Sequence, residues 1–442
     1  MRQTVRHRLP DHFKAMTPPR DRTVPPRRSL PALGLKPEFD GSIEFRREAL
    51  PPLAALETEW RNLEPAAAPS FFISWPWIGT FLTALPEARR PDLLRGSLRG
   101  ETVALALLGA RLVRRRRGLI RSRALFLNET GDANYDATIE HNGLLVATGY
   151  HAAATDALIG WFAEHARRDA DELHISGSMQ ALPGNTVARR GLDRRQTEVP
   201  TYWVALDRLA ASDGELYPVL SSNARQQLRR AVRHFERYGQ VRLDCAANRG
   251  EAHKFFAELK ELHIATWQSR DKPHAFNRPF FETFHRELIE RHVGDGAVQL
   301  LRARAGSRLI GYLYNFRRPD RVYAYQSGFA YGEKQVRPGA VAHALAIRDA
   351  YRSGASAYDF LAGHNRLKES YATDSAPMLW EVVQQPRVAF RAERLARSVK
   401  QLLENRLAPR RREAGRAQSR AGAKTGQAQQ AQKDVACTAA RR

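Results

Sequence analysis

Two strand pairs about 207 residues apart (Leu93 against Leu300), each followed by an amphipathic helix and a further strand, constrain this chain more than any other feature. In the first copy the strands fall at residues 93–98 and 102–108, the helix at 154–167 and the next strand at 172–176. In the second they fall at 300–304 and 309–316, around a Gly306-Ser307 turn, then 340–352 and 357–361. Strand alternation has period two and helix burial about 3.6, so each copy is an α/β unit. A repeat this long predicts two related halves rather than a short-period solenoid.

Charge and composition mark where those halves end. The net charge is +24, but only 10 of the 71 basic residues are Lys. Residues 1–36 and 408–442 each carry nine basic residues against two acids, +7 apiece. The tails thus hold 14 of the 24 charges, have no apolar period, and are predicted to be solvated and disordered. The organisation expected is a tail at 1–37, a first lobe at 38–210, a second at 211–395 and a closing helix end and tail at 396–442. Only Cys245 and Cys437 are present, too few for a disulfide framework or a cysteine zinc site. The histidines show no HExxH spacing, so no metal is expected. No run reaches the ~18 apolar residues of a membrane span, and no secretory signal is visible. The expectation is a soluble cytoplasmic protein without a membrane span.

Between the halves, residues 221–239 read as a helix capped by Ser222 or Asn223 and ended by Gly239. Arg225, Arg229, Arg233 and Arg237 repeat at i, i+4 along it. Like charges so spaced repel by a few tenths of a kcal/mol per pair, so the stripe is either a solvated face or an anion contact. The next helix, 251–268, places Phe255, Leu259, Leu262 and Trp267 at core spacing.

The stretch from 298 to 371 carries the candidate chemistry. After the hairpin, residues 321–329 alternate Val322, Ala324 and Gln326 against Tyr323, Tyr325 and Ser327, as a strand does. A ten-residue loop then leads through Arg337-Pro338-Gly339 into the helix. Pro338 sacrifices no needed hydrogen bond there, Gly339 allows close backbone approach, and free N–H groups with the helix dipole suit a pyrophosphate.

Four segments carry a family resemblance: Ser221 to Arg225 with its arginine helix, Ala324 to Phe329, Arg337-Pro338-Gly339, and Tyr358 to Gly363 with Lys368. With Phe71 to Trp77 in the first half, they resemble the CelD/BcsL-type acetyltransferases, a GNAT branch related to the Fem peptidyltransferases, over about residues 42–390. The resemblance implies tandem GNAT-like lobes, each a mixed sheet flanked by helices, with a cleft between them. It also implies an acyl-CoA co-substrate, acetyl-CoA by preference, bound by Tyr325, Ser327, Arg337, Gly339, Ala340 and Val341. The GNAT phosphate signature Q/R-x-x-G-x-G/A is only partly matched by residues 335–340, and Fem relatives take aminoacyl-tRNA instead.

Acyl transfer needs a base, oxyanion donors and an acid for the leaving thiolate. No nucleophile–base order points to a covalent acyl-enzyme, so transfer is direct. The candidates are His364 as base, Asp359 to orient it or the acceptor, Lys368 to hold a phosphate or acidic group, and Tyr371 or Tyr325 as acid. The acceptor expected is a small molecule or saccharide, such as a polysaccharide precursor, with weak nucleic-acid or anionic-polymer contact through the tails. Fem-like transfer from charged tRNA, and a non-catalytic basic binding protein on a GNAT core, are the alternatives.

Overall fold

A computed structural model describes residues 42–115, 118–332 and 336–393; both tails and residues 333–335 of the loop lie outside the described residues. The first half runs β1 (Glu44–Glu48), α1 (Leu53–Ala67), α2 (Trp75–Ala84), β2 (Asp92–Leu98), β3 (Glu101–Arg115), β4 (Ile120–Leu127), β5 (Leu145–Val146), α3 (His151–Glu164), β6 (Glu172–Ser178), α4 (Gly184–Arg189) and β7 (Asp193–Ala205). The second runs α5 (Ser222–Glu236), β8 (Val241–Cys245), α6 (Arg249–Gln268), α7 (Pro279–His292), β9 (Val298–Ala305), β10 (Arg308–Arg317), β11 (Arg321–Phe329), α8 (Pro338–Arg352), β12 (Ala357–Ala362), α9 (Arg366–Tyr371) and β13 (Asp374–Gln384). The described residues up to Gln385 form one compact unit. Of the second unit, Pro386–Glu393 are described and begin a helix at Val388.

One sheet carries both halves, in the order β1-β2-β3-β4-β6-β13-β7-β12-β11-β10-β9-β8, with β5 paired to β3. Read inward from either edge, the order is the same: four antiparallel strands, a parallel neighbour, then the last strand of the other half. The two parallel pairs are β4 with β6 and β11 with β12. A helix joins each parallel pair, as a crossover requires. Strands β7 and β13 exchange places and pair along their lengths, from Asp193↔Gln384 to Trp203↔Asp374. The periodicity predicts the hairpins, α3 and α8; it does not reveal this exchange, because nothing in one strand's alternation names its neighbour.

Both sheet faces are covered. On one, α1 and α2 of the first half meet α6 and α7 of the second in a shared core. There Phe71 stacks on Phe316 with ring centroids 4.4 Å apart, and Trp77 meets Phe284 edge-on at 4.7 Å. Stacked and edge-on aromatic pairs add about 0.5–1.5 kcal/mol each beyond area burial. The Phe71 to Trp77 motif is therefore the joint between the halves. On the other face, α5 and α8 cover the second half and α3 covers the first.

The cap of α5 is Ser221, whose side chain accepts from the Ala224 N–H, not Ser222 or Asn223. Its arginines are spent locally: Arg225 on the Leu220 carbonyl, Arg229 over the Tyr217 ring, Arg237 on His234.

Helix α6 rests so closely on β11 that a Cβ at Gly328 would stand 2.4 Å from the Leu259 carbonyl oxygen. Gly328→Ala should cost about 1–3 kcal/mol of stability by overpacking. Chemical denaturation would show a lower midpoint at unchanged slope; an unchanged midpoint would contradict this packing.

Candidate functional site

Strands β11 and β12 pair only over Arg321–Tyr323 and Ala357–Asp359, then diverge. On its other side β12 bulges against β7: the register jumps between Asp359 and Ala362, and beyond the bulge the Gly363 N–H donates to the Pro200 carbonyl at 2.9 Å. Leu361 sits in this bulge with φ +62°, a conformation that costs a side-chain-bearing residue roughly 1–2 kcal/mol. Three contacts hold the bulge. Asp359 Oδ1 accepts from the Leu361 N–H at 2.8 Å, Glu140 Oε2 accepts from the Ala362 N–H at 2.8 Å, and Lys368 Nζ donates to the Ala362 and Leu361 carbonyls at 2.8 and 3.2 Å.

Between the diverging strands lies a cavity of about 930 Å³. Its walls include Tyr325, Ser327, Arg337, Gly339, Ala340, His364 and Lys368, seven of the ten residues singled out in the sequence. Gly339 opens α8 in close contact with Phe329, where a Cβ would approach the ring to 2.9 Å. Val341 instead is fully buried in the core under α8. Tyr371 is also in that core, donating to the Ala340 carbonyl at 3.2 Å. Asp359 is fully buried behind the cavity wall. Trp267, expected in the core, lines the cavity.

Two carboxyl groups here are driven in opposite directions. Burial would raise Asp359, but His141, at 3.1 Å, and Arg321, at 2.7 Å, hold it down to about 2. Burial pushes Glu140 up to about 7, against the pull of Lys368 and the Ala362 N–H. Burial likewise brings Lys368 down to about 8, opposed by Glu140 and Asp359. Two of its N–H groups serve the bulge carbonyls, which leaves the third for a ligand.

Other polar groups are committed. Tyr325 donates to the Ala137 carbonyl at 2.8 Å, and its phenol is pushed well up by burial. His364 Nδ1 lies 2.6 Å from Glu369, with the Tyr202 hydroxyl 3.3 Å away. His263 donates through Nδ1 to the Ser327 carbonyl at 3.1 Å, since that oxygen can only accept, and burial lowers its ring to about 4.

The sequence reading passed over Glu140 and His141, which come from the first half. They sit in a segment without regular structure, where Thr138 and His141 take φ of +59° and +45°. Arg278 holds the Thr138 hydroxyl, and Ser70 holds the His141 carbonyl. The only local signal was an acid beside a histidine, between polar Thr138 and Asn142.

A parallel pair that opens beyond a bulge, with a helix start facing the gap, is the arrangement that invites comparison. Residues 222–369 match the family of the acetyltransferase (GNAT) domain. No curated protein matches the chain. Among solved structures, the crystal structure of FemX superposes with a TM-score of 0.51 at 12% identity, over 76% of this chain and 96% of that one. A tandem GNAT protein from the clavulanic acid biosynthesis pathway gives 0.41 at 14%, over 78% and 100%. The fold is thus a GNAT-like mixed α/β fold, and the GNAT match contains the whole second-half wall of the cavity but not Glu140.

The opposed carboxyls give opposite pH dependence of stability. Asp359 is depressed below its unfolded value near 4, so its contribution, about 2–3 kcal/mol, is present above pH 4 and lost as pH falls towards 2. Glu140 is raised, so ionising it costs stability as pH climbs from about 4 to 7. Glu140→Gln should therefore stabilise the protein at pH 8, by up to about 3–4 kcal/mol, and have little effect at pH 4. Thermal melts of both proteins across that range check the sign; destabilisation at pH 8 would refute it.

Proposed function

We propose that this chain is an acyltransferase that moves an acyl group, acetyl by preference, from acyl-CoA to an amine or hydroxyl acceptor bound in the cavity between the halves. The observation that carries the reading is the pairing of a raised carboxyl, Glu140, with a lowered ammonium, Lys368, at the mouth of the opened strands. Groups with affinities pushed together toward neutrality are suited to exchange protons at physiological pH.

On this reading the acyl donor lies along the open edge of β11, with its pyrophosphate at the start of α8. Arg337 is exposed there and has no carboxylate partner among the described residues. The acceptor nucleophile attacks the thioester carbonyl while Glu140 takes its proton. The free N–H of Lys368 stabilises the oxyanion, and as the C–S bond breaks the thiolate leaves and is protonated from Lys368 or solvent. Glu140 replaces His364 as the base, because Glu140 is buried beside Lys368 whereas His364 stands half-exposed at the rim. Asp359, already ionised and encircled, keeps the bulge in shape rather than moving a proton.

The acceptor we favour is a saccharide or other polyol, as for a CelD/BcsL-type enzyme; Trp267, Tyr202 and Tyr331 line the cavity beside Gln326, Thr266 and Glu198. Apolar ring faces interspersed with hydrogen-bonding groups suit such a ligand. A Fem-like aminoacyl donor would use the same proton transfers, and direct competition between acetyl-CoA and charged tRNA separates the two.

Calorimetry should show acetyl-CoA binding that is lost in Gly339→Glu, where the new side chain meets Phe329; absence of binding by the wild type would sink the proposal. Turnover should follow a narrow bell with limbs near pH 7 and 8. Glu140→Gln should remove the acid limb and cost about 10²–10⁴ in kcat/KM, whereas Lys368→Ala should remove the alkaline limb.

A further inference from the structure

The hairpin of β3 and β4 extends well beyond the sheet. β3 pairs with β2 only up to Leu108, and β4 pairs with β6 only from Ala124 onward. Between these limits residues 112–115 and 120–123 pair only with each other in the sheet, as a two-stranded ribbon. One face of the ribbon is anchored: Val113 packs on Ala124 and Phe126, and Arg115 forms a buried bidentate pair with Glu172. The other face is not. Arg114 and Arg121 stand directly opposite one another and are exposed, and neither has a carboxylate partner among the described residues. Like charges in that position destabilise a strand pair. Beside them Leu112 is 47% exposed, and near the turn Leu119 is 88% exposed. Arg111 and Arg123, by contrast, are paired with Asp132 and Asp171. Arg116 and Arg117 lie outside the described residues and are not part of the argument.

We propose that this ribbon docks on an anionic phospholipid surface, with Leu119 entering the headgroup–acyl boundary and Arg114 and Arg121 at phosphate level. Exposed leucines flanked by exposed arginines are what an interfacial anchor requires. A nucleic acid would use the arginines through its phosphates, but would leave the exposed Leu112 and Leu119 beside them without a partner. No described helix is long and apolar enough to cross a membrane, so the attachment is peripheral. None of these ribbon residues lines the catalytic cavity, so docking and chemistry are separable.

The test is sedimentation of the full chain with vesicles of 7:3 phosphatidylcholine and phosphatidylglycerol, in wild type, Leu119→Asp, Leu119→Trp and Arg114→Ser/Arg121→Ser. All the positions are solvent-facing, so each variant should melt no lower than the wild type, the double arginine variant slightly higher, and bind acetyl-CoA as the wild type does. Leu119→Asp should weaken partition about tenfold, and the double arginine variant about fivefold per charge removed. Leu119→Trp should bind at least as well as wild type. If all variants sediment like wild type, the basic tails bind the vesicles and the proposal fails. It fails equally if the variants lose affinity for polyuridylate RNA while vesicle binding is unchanged.

Discussion

The carboxylate of Asp359 is the interaction on which the site depends. It ties its own strand, through the Leu361 N–H two residues ahead, to two pieces of chain distant in sequence: Arg321 on β11 and His141 from the first half. A buried carboxylate without such partners would be too costly to keep ionised. Ionised, it fixes where β11 and β12 stop pairing: Asp359 stands at the last rung, opposite Tyr323, Arg321 reaches it from the first, and the Leu361 N–H turns back to it. The opening of the cavity follows from that point.

The strand exchange supplies the rest of the frame. Because β7 lies between β12 and β13, the bulge of β12 forms against a strand of the first half, between the rungs to Trp203 and Thr201. The aromatic joint at Phe71, Trp77, Phe284 and Phe316 then holds the first half tightly enough for Glu140 to meet the Ala362 N–H at hydrogen-bond distance. The strain at Thr138, His141 and Leu361 surrounds this contact. Each of those residues is held by side chains from elsewhere, as strained positions at a working site must be.

How legible this was depended on the range of the interaction. Alternation and helical spacing are local, and they located both hairpins, α3, α5, α6, α8 and β12. The segments Ala324 to Phe329, Arg337 to Ala340 and Lys368 lie on one continuous stretch and were found together. Val341 was expected at the site from the family resemblance and Tyr371 from its place just after the last strand, yet a side chain's direction depends on its face of the helix, and both lie in the core under α8. Trp267 erred the other way, since helical spacing placed it in the core while the end of α6 projects past the sheet. Glu140 was invisible for a different reason. Its carboxyl acquires its proton affinity only from burial between two halves that are more than 200 residues apart in sequence at their point of contact.

The duplication also explains why one cavity is large and its counterpart small. The first half opens in the same manner, with β4 and β6 pairing only over Ala124–Phe126 and Glu172–His174. There, however, the chain fills its own gap. Asn142 donates to the Leu127 carbonyl and takes the Gly177 carbonyl through its backbone N–H, and Asn128 bridges to Asn142 and Gly143. About 230 Å³ remains, below the ~300–1,000 Å³ usual for ligand sites. The same segment that closes this gap presents Glu140 and His141 to the other half. Two equivalent openings have thus become unequal: one is filled by residues 141–146, and Thr138 and Glu140, just before them, line the other. A single segment therefore accounts both for the closed first half and for the carboxyl that the second half does not itself provide.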